Sequence, residues 1–412
     1  MISQETLLLL SSRQRPAAGV RLFLVEDEGI LFDPVGQQLF HLNSAAACIW
    51  CHIENGLRLA SIVEEAARSM QLGQQLARRY VLGMVRAWRR MGLLEGGSRR
   101  KALVRPSQPS PELESWLTTP LPEELGTISR WHHYRLFDTS FSIGFSDELL
   151  AQIIHPALSH LEQAQPGSAP VRLDIVLRRG ELQVWCAGKS MGSCGTIRQL
   201  APLVQGIVST LTLQRYRFLV ALHAAGVALG GHAMLLVGGS GGGKTTLAAA
   251  LVAGGWDYLS DDMILLQPGT LAAVGMPYSF GIKRGGWDLL GAYYPGHPMP
   301  DAHLRPDGKL VRYLSPPRQR TGFALPRTVR WIVFLNRKTI APSKLQPLSR
   351  LEGLQRLVQH CCGIPTALTS NDVHCLIEWS EKVRWFELEF AGLTTAARTL
   401  SGLGGVRNGP AL

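Results

Sequence analysis

The sequence predicts an α/β protein with a phosphate-binding loop near its centre, an α+β segment ahead of that loop, and a small strand-and-helix module at the N-terminus. Three observations predict it. Gly238-Gly239-Ser240-Gly241-Gly242-Gly243-Lys244-Thr245 satisfies G-x-x-x-x-G-K-[ST] in full. An apolar run, Met234–Val237, precedes it and an Ala/Leu-rich run, Thr246–Val252, follows, which is the strand–loop–helix setting such a loop needs. Far upstream, period-two alternation switches to helical periodicity, which marks a separate module.

The bulk composition agrees. A chain of 412 residues can hold two or three domains, and 46% hydrophobic with 18% charged residues excludes wholesale disorder. A net charge of +11 favours an anionic partner: nucleotide, acidic peptide, nucleic acid or membrane surface. The seven cysteines form no framework, and Cys48-x-x-Cys51 has no second pair to complete a zinc site. A reduced, cytoplasmic protein is expected. Leu7–Leu10 is too short for a signal-peptide core and follows Glu5 without a basic lead-in. Phe218–Gly239 has the length of a membrane span and no Lys, Arg, Asp or Glu. His223, His232, Gly226, Gly230 and Gly231 interrupt it, so buried strands joined by a glycine turn are expected, with no membrane span.

Residues 19–96 make the first block. Val20–Leu24 and Gly29–Phe32 alternate as strands around Asp27-Glu28, and Asp33-Pro34-Val35-Gly36 turns into a third strand, Gln38–Leu42. Asn43 or Ser44 caps a helix over Ala45–His52, and two more follow at Leu59–Met70 and Gln74–Met91. Residues 97–126, rich in Pro, read as a linker. Residues 127–217 carry strands within Tyr134–Phe145 and Val171–Cys186 and helices at Glu148–Leu161 and Ile197–Tyr216, without a chemical motif. Residues 218–404 hold strands at Phe218–Leu222, Ala233–Val237, within Asp257–Leu266, at Val329–Leu335 and at Arg384–Phe390. The helices there are Lys244–Ala253 and Thr394–Leu403.

The loop chemistry is specific. Its glycines let backbone N–H groups close around phosphates, and the helix N-terminus adds positive potential. Gly238, Ser240, Gly241, Gly242, Gly243, Lys244, Thr245 and Thr246 are therefore the expected ATP contacts, with Lys244 on the β and γ phosphates and Thr245 on Mg²⁺. Ser260-Asp261-Asp262 arrives one helix later. A transporter-type ATPase would keep its acidic strand far downstream, and a GTPase would show N-K-x-D, which is absent. A hydroxyl acceptor needs a base, so Asp261 is the candidate base and Asp262 the candidate Mg²⁺ ligand, with the reverse open.

The run His223-Ala224-Ala225-Gly226-Val227-Ala228-Leu229, the loop, and Ser260-Asp261-Asp262 together resemble the HPr kinase/phosphorylase family over Phe218–Leu266. The resemblance implies a phosphate-loop kinase core in which His223 and the Asp pair form the phosphotransfer centre, with His223 orienting or sharing a proton with Asp261. The family's Gly-rich signature after the Asp pair has no clear counterpart. Ile282-Lys283 and Pro316-Pro317-Arg318 look more like divergent HPr-kinase-related proteins of modified-peptide gene clusters, making Lys283 and Arg318 candidate phosphate clamps, with Arg284 and Arg312 competing.

The stretch from Asp33-Pro34 through His41-Leu42-Asn43-Ser44-Ala45-Ala46-Ala47-Cys48-Ile49-Trp50, with Gly56 and Leu93-Leu94, resembles the PqqD-like family. That resemblance implies a winged-helix module that binds leader peptides of ribosomally made, modified peptides. A peptide would add as a strand beside Gln38–Leu42 and lie against the third helix. Gln38, Phe40, Arg78, Arg79 and Arg86 are the candidate contacts, and the basic helix suits an acidic leader.

Together these imply an ATP- and Mg²⁺-dependent kinase acting on a Ser or Thr of a captured precursor peptide. Homo-oligomers are allowed and nucleic acid is a lesser expectation. The alternatives are a kinase of free serine, another small molecule or a carrier protein, and an ATP-switched winged-helix regulator that binds DNA.

Overall fold

The computed structural model describes residues 10–97, 128–178, 180–291, 293–295, 300–317, 325–340 and 342–405. Most of the expected linker and the whole of Arg318 lie outside them. The chain forms two compact units. One joins the N-terminal residues to 349–355 and 366–382; the other holds the remainder.

In the first unit, β1 (Arg21–Val25), β2 (Glu28–Asp33) and β3 (Gln38–Leu42) form an antiparallel sheet in that order, with Gly29 opposite Leu42 and Asp33 opposite Gln38. Asn43 caps α1 (Ser44–Glu54), its side chain accepting from the Ala46 N–H at 2.9 Å. Helices α2 (Leu59–Ser69) and α3 (Gln74–Arg90) complete the module. Buried Trp50 meets Trp88 edge to face at 5.1 Å, at the centre of a core built from Ile49, Ile53, Leu59, Ile62, Val81 and Val85. The sequence reading placed 366–382 in the block 218–404, but this segment clusters with the N-terminal sheet. The Gln37 amide donates to Leu368 O (3.0 Å) and accepts from Leu368 N–H (2.7 Å), while the Phe23 ring faces His374 on the helix Ser370–Lys382.

The second unit begins with a hairpin. The strand read over Tyr134–Phe145 is β4 (Arg130–Leu136) and β5 (Thr139–Phe145), broken where Phe137 turns with φ +52°. Helix α4 (Glu148–Leu158) stops three residues short of the expected end, in a 3-10 turn over Ser159–Leu161. Then come the two-residue β6 (Glu162–Gln163), β7 (Val171–Arg178), β8 (Glu181–Cys186) and β9 (Lys189–Cys194). Helix α5 (Leu200–Leu213) packs with α4 on this sheet, whose order is β6-β4-β5-β7-β8-β9 among the described residues.

The apolar stretch 218–239 is three strands: β10 (Val220–Leu222), β11 (Ala224–Leu229) and β12 (His232–Val237), the last two joined by Gly230-Gly231 with both φ positive. No helix among the described residues is long and apolar enough to cross a membrane. Helix α6 (Lys244–Ala253) covers the span read from sequence. The expected strand in Asp257–Leu266 is two, β13 (Asp257–Ser260) and β14 (Ile264–Leu266), in different sheets. The chain continues through β15 (Ala273–Gly275), β16 (Phe280–Lys283), β17 (Ala302–Leu304), β18 (Leu310–Leu314), β19 (Thr328–Arg337), β20 (Lys344–Pro347), β21 (Cys361–Gly363), β22 (Arg384–Phe390) and helix α7 (Leu393–Leu403).

Among the described residues a second six-stranded sheet runs β13-β11-β12-β19-β22-β20, with β12, β19 and β22 mutually parallel, and a four-stranded one runs β15-β14-β10-β21. Leu235, Leu236 and Val237 are fully buried, as a central strand covered on both faces requires. Helix α6 is apolar on nearly every side because it is enclosed: Leu247, Leu251, Phe386, Phe390 and Leu400 share one core with it.

Candidate functional site

Sheet switching builds the site. Strands β10 and β11 belong to different sheets, and His223 occupies the bend between them. Their partners make the same switch: β14 pairs with β10, β13 pairs with β11, and Asp261-Asp262 occupy that second bend. Two bends in paired strands must coincide, so a histidine and two aspartates 38 and 39 positions away meet. The register supplies the third component. Ala224 lies opposite Val237, which sets His223 level with Gly238 and the start of the Gly-rich loop.

Lys244, at the head of α6, is 7% exposed. Its Nζ donates to Gly238 O (2.6 Å), Gly239 O (3.2 Å) and His223 Nε2 (3.2 Å). An ammonium can only donate, so His223 Nε2 is the accepting nitrogen and the ring proton sits on Nδ1. Nδ1 then donates toward Asp262, with Oδ1 at 3.2 Å and the backbone oxygen at 3.1 Å. The His223 backbone is pinned in turn, its N–H donating to His360 O at 2.9 Å. Burial pushes the Lys244 pKa down, against the attraction of Asp262.

The two aspartates are in opposite environments. Asp261 is buried, and its carboxylate accepts from Tyr258 OH (3.2 Å) and from the Gly281 N–H (2.9 Å), with Thr245 lining the same cavity. Burial, then the charge of Asp262, raises its pKa to about 6 despite those donors. Asp262 is solvent-facing; the His223 hydrogen bond holds its pKa below the usual carboxylate value, and Arg305 and Lys244 add to the effect. A cavity of about 210 Å³ opens onto both, lined by Thr245, Asp261, Asp262, Lys283, Arg305 and Ser209 of α5 among others.

The loop itself is open to a ligand's approach. Gly241 and Gly243 have φ of +83° and +92°, and a Cβ on Gly243 would lie 3.3 Å from the Phe390 ring. Nothing lies within 4 Å of a Cβ position on Gly239 or Gly241. No side chain caps α6, so its first N–H groups and Lys244 suit an anion. Thr245, Asp261 and Asp262 are oxygen donors, a set suited to a hard divalent cation.

Of the residues singled out from sequence, Gly238, Ser240, Gly241, Gly242, Gly243, Lys244, Thr245, His223, Asp261, Asp262 and Lys283 come together here. Lys283 Nζ donates to Ser240 Oγ at 3.2 Å. Thr246 instead lies against Gly286. Arg284 is exposed, Arg312 stacks 4.1 Å from the Trp287 ring, and Arg318 lies outside the described residues. Sequence reading missed Arg305, Tyr258, the Gly281 N–H and the α5 wall. Only Tyr258 carried a signal, since alternation through Asp257–Ser260 turns it inward with Ser260.

On the N-terminal unit, β3 pairs only with β2 among the described residues, leaving its other edge open. Gln38 is exposed and Phe40 half-buried; Leu39 is 42% exposed. On α3, Arg79 and Arg86, seven apart, are exposed and Arg78 is half-buried.

No family model matches this chain, and no curated protein matches it. Among solved structures it is similar to TbiB1 in complex with the TbiA(beta) leader peptide, at 24% identity over 20% of this chain and 98% of that one, with a TM-score of 0.20. A likeness of that extent carries no argument about function.

Proposed function

We propose that this protein transfers the γ-phosphoryl group of ATP to a Ser or Thr hydroxyl of a ribosomally made precursor peptide held by its N-terminal module. The observation that carries the reading is the net linking Lys244, His223 and Asp262, with Asp261 and Thr245 lining the same cavity. These are the groups that an in-line phosphoryl transfer needs within one hydrogen-bonded patch.

The geometry favours exchanging the roles first assigned to the two carboxylates. Asp262 faces solvent and is oriented by His223, so it is the group an acceptor hydroxyl can reach, and it takes the acceptor's proton as the new O–P bond forms. Asp261 is fixed by two donors, Tyr258 and the Gly281 N–H, which suits a residue that works beside a cation rather than one that turns toward substrate. Mg²⁺, when held by Thr245 and Asp261, would neutralise charge on the nucleotide phosphates. Lys244 would exchange its loop carbonyls for phosphate oxygens, and Lys283 stands at Ser240 to add a second positive charge. ADP leaves with the bridging oxygen and its electron pair.

Peptide capture rests on the open edge of β3, where a strand can add by backbone hydrogen bonds, and on Arg79 and Arg86, which favour an acidic segment. Capture raises the local concentration of one hydroxyl over all competitors. The test is a competition between a precursor peptide encoded beside the gene and free serine, with phosphate incorporation followed from labelled ATP. The reading requires strong preference for the peptide. Equal use of free serine would remove the capture role, and duplex-DNA binding without any phosphoryl transfer would favour a nucleotide-switched regulator instead.

A further inference from the structure

The α+β segment ahead of the Gly-rich loop offers no sequence motif, yet three of its side chains converge. His132 comes from β4, His155 from the last turn of α4, and Glu162 from β6, which pairs with β4 through Tyr134 opposite Glu162. One ligand atom from each can be chosen so that all lie within 4.8 Å of one another. Each imidazole faces a different carboxylate oxygen: His132 Nδ1 is 2.8 Å from Oε1, and His155 Nε2 is 3.9 Å from Oε2. The two rings are 5.1 Å apart. Ligands about 2.0–2.2 Å from a tetrahedral ion stand roughly 3.4 Å from each other, so these separations close around one ion with side-chain shifts of a fraction of an ångström to about an ångström.

A second observation concerns the groups behind the ligands. Tyr134 is buried on the same face of β4 as His132, and its hydroxyl is 3.2 Å from His155 Nδ1. A tyrosine hydroxyl oxygen can accept from an Nδ1–H at that distance. That contact engages the nitrogen remote from Glu162 and leaves Nε2 as the free lone pair. A ligating histidine held through its other nitrogen is the usual arrangement around a bound metal. The His132 ring is held too, stacked at 20° to Tyr134 and edge-on to Phe145.

We propose that His132, His155 and Glu162 bind a zinc-class divalent ion, which ties the two-residue strand β6 to β4 and α4. Two imidazoles and a carboxylate are a borderline donor set, which suits zinc over magnesium or calcium. Three protein ligands leave a fourth position for water. The site is separate from Thr245, Asp261 and Asp262, whose donors are all oxygen.

Cobalt(II) titration of the full-length protein tests this, with excess Mg²⁺ present to occupy oxygen-only sites. The expected result is one equivalent bound with the visible absorption of a tetrahedral nitrogen–oxygen site, displaced by zinc. His155→Gln and Glu162→Gln should each abolish the band, and Tyr134→Phe should weaken binding about tenfold while leaving the fold intact. Lys244→Ala should leave the band unchanged. If His155→Gln fails to fold, Glu162→Gln at the sheet edge and Tyr134→Phe carry the test. Absence of a band, a band with thiolate charge-transfer character, or binding indifferent to Glu162→Gln and Tyr134→Phe would overturn the proposal.

Discussion

Around Gly238–Lys244 the polar groups are bonded to one another. Lys244 donates to two loop carbonyls and to His223, His223 donates to Asp262, and Asp261 is held by Tyr258 and Gly281. At β3 and α3 the polar groups face outward, with a strand edge unpaired among the described residues and exposed arginines. In the first region each group's chemistry depends on its neighbours, so single atoms matter. In the second, affinity is spread over a surface and single side chains matter less.

The contrast can be broken at several points. Lys244→Ala should lower kcat for peptide phosphorylation about 10³-fold with an unchanged circular-dichroism spectrum. Asp262→Asn should cost about 10²-fold in kcat with nucleotide affinity retained, as expected for a lost general base. If Asp261→Asn instead gave the base-like loss and Asp262→Asn did not, the original assignment of the two carboxylates would return.

The double substitution Arg79→Glu with Arg86→Glu should raise peptide KM about tenfold at low salt, with the difference shrinking as salt rises and ATP hydrolysis unaffected. Point changes are cleaner here than removing the N-terminal residues. Deleting the sheet would strip the helix Ser370–Lys382 of its β1 neighbour and Leu368 of Gln37.

The carboxylate buried at this site also gives stability a pH dependence. The Asp261 pKa is raised from 3.8 to about 6, so between those values the folded chain keeps a proton that the unfolded chain has released. Wild-type stability therefore falls as pH rises through that window, by on the order of 3 kcal/mol, and Asn cannot titrate. Thermal melts should show Asp261→Asn gaining on wild type between about pH 4 and pH 7. A gap that stays constant would mean that Asp261 is not held in a desolvated site.

How legible these regions were follows from how local their determinants are. The loop and α6 are contiguous in sequence, and β1–β3 with α1–α3 announce themselves through alternation, turn residues and the Asn43 cap. His223 was expected beside Asp261 through a family resemblance, but it bonds Asp262, because the contact is set by two strands changing sheets at one level. Strands β14 to β18 are three to five residues long, too short for period two to stand out. Hairpin turns at Phe137 and Gly180 lacked a strong punctuating pair, so two strands read as one on each side. The joining of 366–382 to the N-terminal sheet depends on the Gln37 amide, which no spacing reveals. His132, His155 and Glu162 likewise share no motif spacing and meet only through β4–β6 pairing.

Whether the net around Lys244, His223 and Asp262 transfers a phosphoryl group to a captured peptide can be read from the intact mass of a neighbouring precursor peptide after incubation with protein, ATP and Mg²⁺. A gain of one phosphate is expected with wild type, no detectable gain with Lys244→Ala, and a much slower gain with Asp262→Asn. ATP turnover by wild type with no mass added to any such peptide would contradict that transfer.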